Sequence, residues 1–167
     1  MNDLKTLTSD FKWNGKTYNF LYKDVDSFKN LPYEKCKQCY GVCFFGDKTV
    51  IGGDEKHWSL IGGTIEKGED FETTLKREIQ EESNMKVLKF LPIGYQQVFN
   101  SDGSDIYQLR FVCEVEPFGE FEKDPAGSVT KIKLIYPKDY KKYFDWGEIG
   151  DRIIERAVEL RKFLIKG

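Results

Sequence analysis

The sequence predicts a layered α/β (α+β) domain built on a mixed β-sheet, and three observations carry that expectation. Short runs of apolar, β-prone residues recur along the chain, each closed by turn residues. Two stretches, around Phe71 and around Ile153, instead repeat apolar residues at helical spacing. No internal repeat, low-complexity tract or linker rich in Pro, Gly or Ser divides the chain, and 167 residues suffice for one domain with a real core.

The elements follow in order. Asn14-Gly15, between β-prone flanks, marks a tight hairpin, because both turn residues must tolerate positive φ. Residues 24–38 are mixed and polar, and read as a loop with a short helix. Residues 40–45 form a strand-like apolar run closed by Gly46-Asp47, and Thr49, Val50 and Ile51 make a second short strand. Trp58 to Ile61 is apolar and runs into Gly62-Gly63. Phe71, Leu75 and Ile79 then recur every four residues through a charged segment, the mark of an amphipathic helix. Asp70 suits its N-cap and Asn84 the left-handed position that ends it.

Residues 87–99 and 106–115 read as two long strands joined by the turn-rich segment 100–104. Residues 117–127 form an acidic loop. Residues 129–136 alternate apolar and basic side chains as one more strand, and Pro137 starts a short helix or turn. Ile149, Ile153, Ala157, Leu160 and Leu164 keep helical spacing, which gives a C-terminal helix.

Composition narrows the function. The formal net charge of -2 argues against a diffuse pull on a nucleic-acid polymer, so any phosphate chemistry needs a local device. No apolar run nears the ~20 residues of a membrane span, and the polar N-terminus lacks the layout of a secretion signal. A cytoplasmic location is expected. Cys36 and Cys39 form a CxxC pair, but a zinc site would need Cys43 and Cys113 to converge on it. The plainer reading is reduced thiols, two near a loop and two on strands.

The segment 63–85 reads GTIEKGEDFETTLKREIQEESNM. On a helix, Glu78 and Glu82 fall one turn apart on one face with Glu81 beside them. Like charges so placed destabilise a helix by about 0.2–0.5 kcal/mol per pair, and a divalent cation removes the repulsion. Arg77 is placed to orient a carboxylate, and Gly62 and Gly63 let backbone approach a metal or phosphate. A Glu-rich solvated face is common, so three glutamates alone would decide nothing. The fixed order of glycine, glutamate, arginine and glutamates is far more specific.

Gly63, Glu69, Arg77-Glu78-Ile79 and Glu81-Glu82, at these spacings, resemble the Nudix hydrolase box, a loop–helix–loop of 23 residues. Trp58, Leu60, Gly62 and Gly68 match its usual flanks. Two positions depart: Asn84 stands where a glycine is expected, and Ile61 where a proline is often found. Neither touches a carboxylate. The resemblance implies an α/β/α sandwich over residues 36–167, with residues 1–35 as an extension carrying the hairpin.

It also implies Mg²⁺, or Mn²⁺ in its place, and hydrolysis of a diphosphate linkage in a nucleoside diphosphate derivative or a nucleoside triphosphate. By the same resemblance Glu78 and Glu82 are the main ligands, Glu81 and the Gly63 carbonyl assist, Arg77 holds Glu78, and Glu69 supports the loop. A carboxylate outside the box often serves as general base in this family. Glu120 and Glu122 are the candidates, and each also reads as an ordinary surface residue.

Trp58, Tyr95, Phe99 and Tyr107 are candidates to stack on a base or sugar, although most of the aromatics must be core. The signature residues of ADP-ribose, dinucleoside polyphosphate and NADH hydrolases are missing downstream of the box, so the substrate is not identified. Two other readings stay open: a nucleotide-binding sensor with the fold but no chemistry, and a prenyl diphosphate isomerase that would use Cys43 or Cys113. A homodimer is compatible with such folds.

Overall fold

The computed structural model describes residues 3–122 and 129–165, so residues 123–128 of the acidic loop lie outside the described residues. The chain opens with a hairpin of β1 (Thr6–Trp13) and β2 (Lys16–Asp24). Its turn has positive φ at Asn14 (50°) and Gly15 (73°), as expected from the Asn-Gly signal. A 3₁₀ turn (Tyr33–Lys35) leads to β3 (Cys36–Phe45), which begins four residues earlier than its apolar run suggests. Then come β4 (Lys48–Gly53), β5 (Trp58–Ser59) and β6 (Ile61–Thr64).

Helix α1 spans Phe71–Ser83. The Asp70 carboxylate accepts from the Thr73 N–H at 2.7 Å, and Asn84 ends the helix at φ 53°, ψ 40°. Next come β7 (Met85–Phe99) and β8 (Asp105–Pro117), and after the acidic loop β9 (Lys131–Ile135), a 3₁₀ turn (Pro137–Lys142) and α2 (Gly147–Ile165).

The strands form one mixed sheet in the order β1-β2-β7-β8-β3-β4-β5, with β6 beside β3 and β9 beside β4. Only the central β3–β8 pair is parallel among the described strands. Alternation sends Cys39, Cys43, Leu109 and Phe111 to one face, where Leu75 and Ile79 of α1 cover them. Tyr22, Val42, Phe44 and Val112 go to the other, under Ile149, Ile153 and Ala157 of α2. The layered α/β/α expectation holds.

Two details differ from the sequence reading. All four cysteines lie on strands, three on β3 and one on β8, and all are free and buried. The β1–β2 hairpin is also stitched into the sheet: β2 pairs with β7 from Asn19↔Phe99 to Asp24↔Gly94, and Asp24 ends up fully buried. No helix among the described residues is long and apolar enough to cross a membrane.

Candidate active site

The site is organised by Arg77, and the reason is local. A helix that starts at Phe71 points Arg77 back over the loop that precedes it. The guanidinium donates through Nε and Nη2 to both oxygens of Glu69 (2.8 and 2.9 Å), through Nη2 to the Thr64 carbonyl (2.9 Å), and through Nη1 to Glu78 (2.9 Å) and Glu81 (3.2 Å). Sequence reasoning expected it to orient one carboxylate; it holds three.

Glu69 is the loop's anchor. Besides Arg77 it accepts from the Glu66 N–H and the Thr74 hydroxyl, both at 2.9 Å, and its own carbonyl accepts from the Tyr33 hydroxyl. The Arg77 hydrogen bonds, followed by these smaller contributions, outweigh burial and pull the Glu69 carboxyl from its ordinary 4.5 down to about 2. A depressed folded-state pKa contributes stability that is complete above the unfolded value and is lost as pH falls toward the folded one. We therefore expect acid to loosen this loop–helix junction between pH 4.5 and about 2. Glu69→Gln should flatten that part of the stability profile, as followed by urea denaturation at each pH.

Glu82 turns inward. It is 9% exposed and accepts from the Gly62 N–H at 2.8 Å. The double glycine is required by close approach. A Cβ on Gly62 would lie 2.1 Å from the Cys39 carbonyl oxygen, and one on Gly63 would lie 2.6 Å from the Glu78 carboxylate. Backbone and helix carboxylates are thus packed against each other with no room for a side chain. Glu82 faces Gly62 while Arg77 holds Glu69, Glu78 and Glu81, and no three acidic, histidine or cysteine side chains among the described residues stand close enough to hold one ion as they lie.

The donor set nevertheless fits a hard divalent cation: carboxylate oxygens on consecutive helical turns, with the Gly63 backbone pressed against Glu78. Beside it, a cleft of about 570 Å³ is lined by Arg77, Gln80, Glu81, Asn84, Glu120, Phe121 and Glu122. The chain after β8 is tied there by two bonds to the helix cap, Phe118 N–H to the Asn84 carbonyl and the Asn84 amide to the Glu120 carbonyl, both at 3.0 Å. Glu120 and Glu122, 36 or more residues from the helix cap in sequence, therefore share a cleft with Glu81.

The four aromatic candidates go elsewhere. Tyr95 and Tyr107 pack edge-on at 5.2 Å on the α1 side of the sheet, Trp58 packs edge-on against Tyr143, and Phe99 ends β7 opposite Asn19. None of them lines the cleft or a second cavity, of about 410 Å³, on the α2 face. Phe11, Phe20, Tyr40 and Trp146 line that cavity instead, and neither helical nor strand periodicity singles them out. Cys43 and Cys113 lie side by side under α1, with both sulfurs packed against Gly41. Burial pushes the Cys113 thiol well above its ordinary range. Both cysteines are buried and neither lines the cleft.

A mixed sheet between two helices, with one helix edge presenting oriented glutamates to a Gly-Gly strand, defines the class as a layered α/β/α sandwich. The family model of the NUDIX domain matches residues 41–156. The chain belongs to the Nudix hydrolase family.

Solved structures agree on the fold. The chain is similar to a mutant form of the Bacillus subtilis pyrophosphohydrolase BsRppH with a TM-score of 0.67 at 17% identity, covering 90% of this chain and 96% of that one. It is similar to a NUDIX hydrolase from Nitrosomonas europaea with a TM-score of 0.61 at 18% identity, covering 75% and 90%. A MutT NUDIX hydrolase from Burkholderia pseudomallei gives 0.57 at 13% identity, covering 71% and 95%. No curated protein sequence matches the chain significantly.

Proposed function

We propose that this hydrolase cleaves the diphosphate linkage of a nucleoside diphosphate derivative or a nucleoside triphosphate, and that it does so in the cytoplasm. The observation that carries the reading is the Arg77 fork on Glu69, Glu78 and Glu81, next to a glycine strand packed against Glu78 and Glu82. Glu78, Glu81, Glu82 and the Gly63 carbonyl are the residues that would hold Mg²⁺, with Mn²⁺ as its substitute. When bound, such an ion neutralises charge on the phosphate oxygens and supplies an acidified water.

The chain's own groups do the rest. Arg77 holds Glu78 and Glu81 in place, and Glu69 ties the loop to the helix so that Gly63 stays against Glu78. Glu120 or Glu122 takes the proton from the attacking water, since both face the cleft that contains Glu81. A binding module without chemistry has no use for a fully retained carboxylate set of this kind.

The test is Mg²⁺-dependent product release from nucleoside triphosphates, ADP-ribose, nucleotide sugars, dinucleoside polyphosphates and coenzyme A. We expect turnover of at least one class, abolished by EDTA. Replacing the proton acceptor, Glu120→Gln or Glu122→Gln, should lower kcat about 10²–10⁴-fold while the other variant keeps its rate. Binding without product formation across the whole panel would leave a sensor domain instead.

A further inference from the structure

The carboxylate site has a support outside the segment that the family model matches: residues 28–35, which lead into β3. Phe28 is 7% exposed and packs edge-on against Phe111 of β8 at 5.1 Å and against Phe71, the first residue of α1, at 6.1 Å. Tyr33 in turn stacks on Phe71 at 5.7 Å, with the ring planes 21° apart. Four rings in series therefore run from the sheet to the start of the helix. The turn that carries Tyr33 is itself fixed. Lys35 pairs with Asp105 at 2.7 Å, and the Lys35 N–H and the Cys36 thiol donate to the Pro32 carbonyl at 3.0 and 3.5 Å.

The rings account for packing, and a phenylalanine at position 33 would provide it equally well. The hydroxyl needs another explanation. Tyr33 is 47% exposed, so water would satisfy its O–H without help from the protein. It donates instead to the Glu69 carbonyl. That carbonyl ends an exposed loop that turns through Gly68 at φ 86°, with the Glu69 N–H on the Glu66 carbonyl at 3.0 Å. Glu69 is thus held at both ends, its carbonyl by Tyr33 and its carboxylate by Arg77. The same guanidinium holds Glu78 and Glu81. One rigid, planar group bonds all three carboxylates, so a shift of the Glu69 peptide passes to the other two.

Resting on the diphosphate-hydrolase reading, we propose that Tyr33 is a positioning residue for the metal ligands: its hydroxyl, acting through the Glu69 backbone and Arg77, sets where the Glu78 and Glu81 carboxylates stand. Residues 28–35 are then a brace of the site as well as a lead into β3. Removing a group that orients a metal ligand directly lowers metal affinity about 10–100-fold. Tyr33 acts from further out, through one backbone group, and its effect is correspondingly smaller.

The test is titration of Mn²⁺ into the full chain, read by electron paramagnetic resonance, so that no turnover is needed. Tyr33→Phe keeps the ring and removes only the hydroxyl. We expect it to weaken Mn²⁺ binding about 3- to 10-fold, with Tm within about 2 °C of wild type. Tyr33→Leu, which also removes the ring, should weaken binding at least as much and lower Tm further. A merely structural tyrosine would move Tm and leave Mn²⁺ affinity alone. Affinity within twofold of wild type in either variant would overturn the proposal, as would weaker binding in Tyr33→Phe that comes only with a larger loss of Tm. A wild-type chain that binds no Mn²⁺ would sink the hydrolase reading and this inference with it; Mn²⁺ binding indifferent to Tyr33→Phe would sink this one alone.

Discussion

Glu78→Gln should lower kcat/KM about 10³-fold while the protein remains folded. The substitution keeps the shape and leaves an oxygen to accept from Arg77 Nη1, now at 2.9 Å from Glu78. It removes one negative charge and one hard ligand from the residue packed directly against Gly63. The contribution of a Lewis-acid ion to transition-state charge is several kcal/mol, and each 1.36 kcal/mol is about tenfold in rate, which sets the order of magnitude. Thermal unfolding should show a Tm equal to or slightly above the wild-type value, because a like-charge neighbour of Glu82 is gone. Wild-type turnover in this variant would remove the carboxylate cluster from the chemistry altogether.

Asp24→Ala should produce the opposite pattern, a large loss of stability with the rate retained below the unfolding transition. Asp24 is fully buried and accepts from Arg152 Nε and Nη2 at 3.0 and 2.7 Å, from the Tyr22 hydroxyl at 2.8 Å and from the Lys5 N–H at 2.8 Å. Arg156 stands 3.8 Å away and holds the Ile93 carbonyl at 2.7 Å. Burial raises the Asp24 carboxyl, but the Arg152 hydrogen bonds and those of Lys5 and Tyr22 prevail and leave it below its ordinary value. Removing the carboxylate takes the fully buried partner from Arg152, 3% exposed, and leaves it only Glu155 and Glu159 toward the surface, while Arg156 keeps Asp26. Breaking one side of a buried pair costs about 3–5 kcal/mol, or roughly 10 °C of Tm for a chain of this size. A loss under about 1 kcal/mol in urea titration would show that water or a backbone shift restores the pairing.

The two predictions separate what was legible in the sequence from what was not. The helix from Phe71 to Ser83, its Asp70 cap, its Asn84 stop and the Asn14-Gly15 turn all appear where local pattern placed them, since each depends on neighbours within a few residues. The positions of Glu78, Glu81 and Glu82 on α1 were legible for the same reason, whereas the directions of their side chains, toward Arg77 or inward to Gly62, were not. The four aromatic candidates were not, because a ring's periodicity says that it is buried and not what it faces. Local pattern in residues 1–35 is equally silent on what the hairpin pairs with. Nothing near Asp24 announces that its partner lies 128 residues away.

By itself, then, the sequence determined the family, the layered fold and the glutamate-bearing helix, each written in contacts that span one or two helical turns. Only the tertiary structure decided that Arg77 forks over three carboxylates, that Glu120 and Glu122 line one cleft with Glu81, and that Arg110 is buried beside the Tyr40 and Trp146 rings with no ion pair among the described residues. The physical reason is strand register. In a sheet ordered β2-β7-β8-β3, residues far apart in sequence share a face only once pairing is set, and a slip of one residue would send every one of them to the other side.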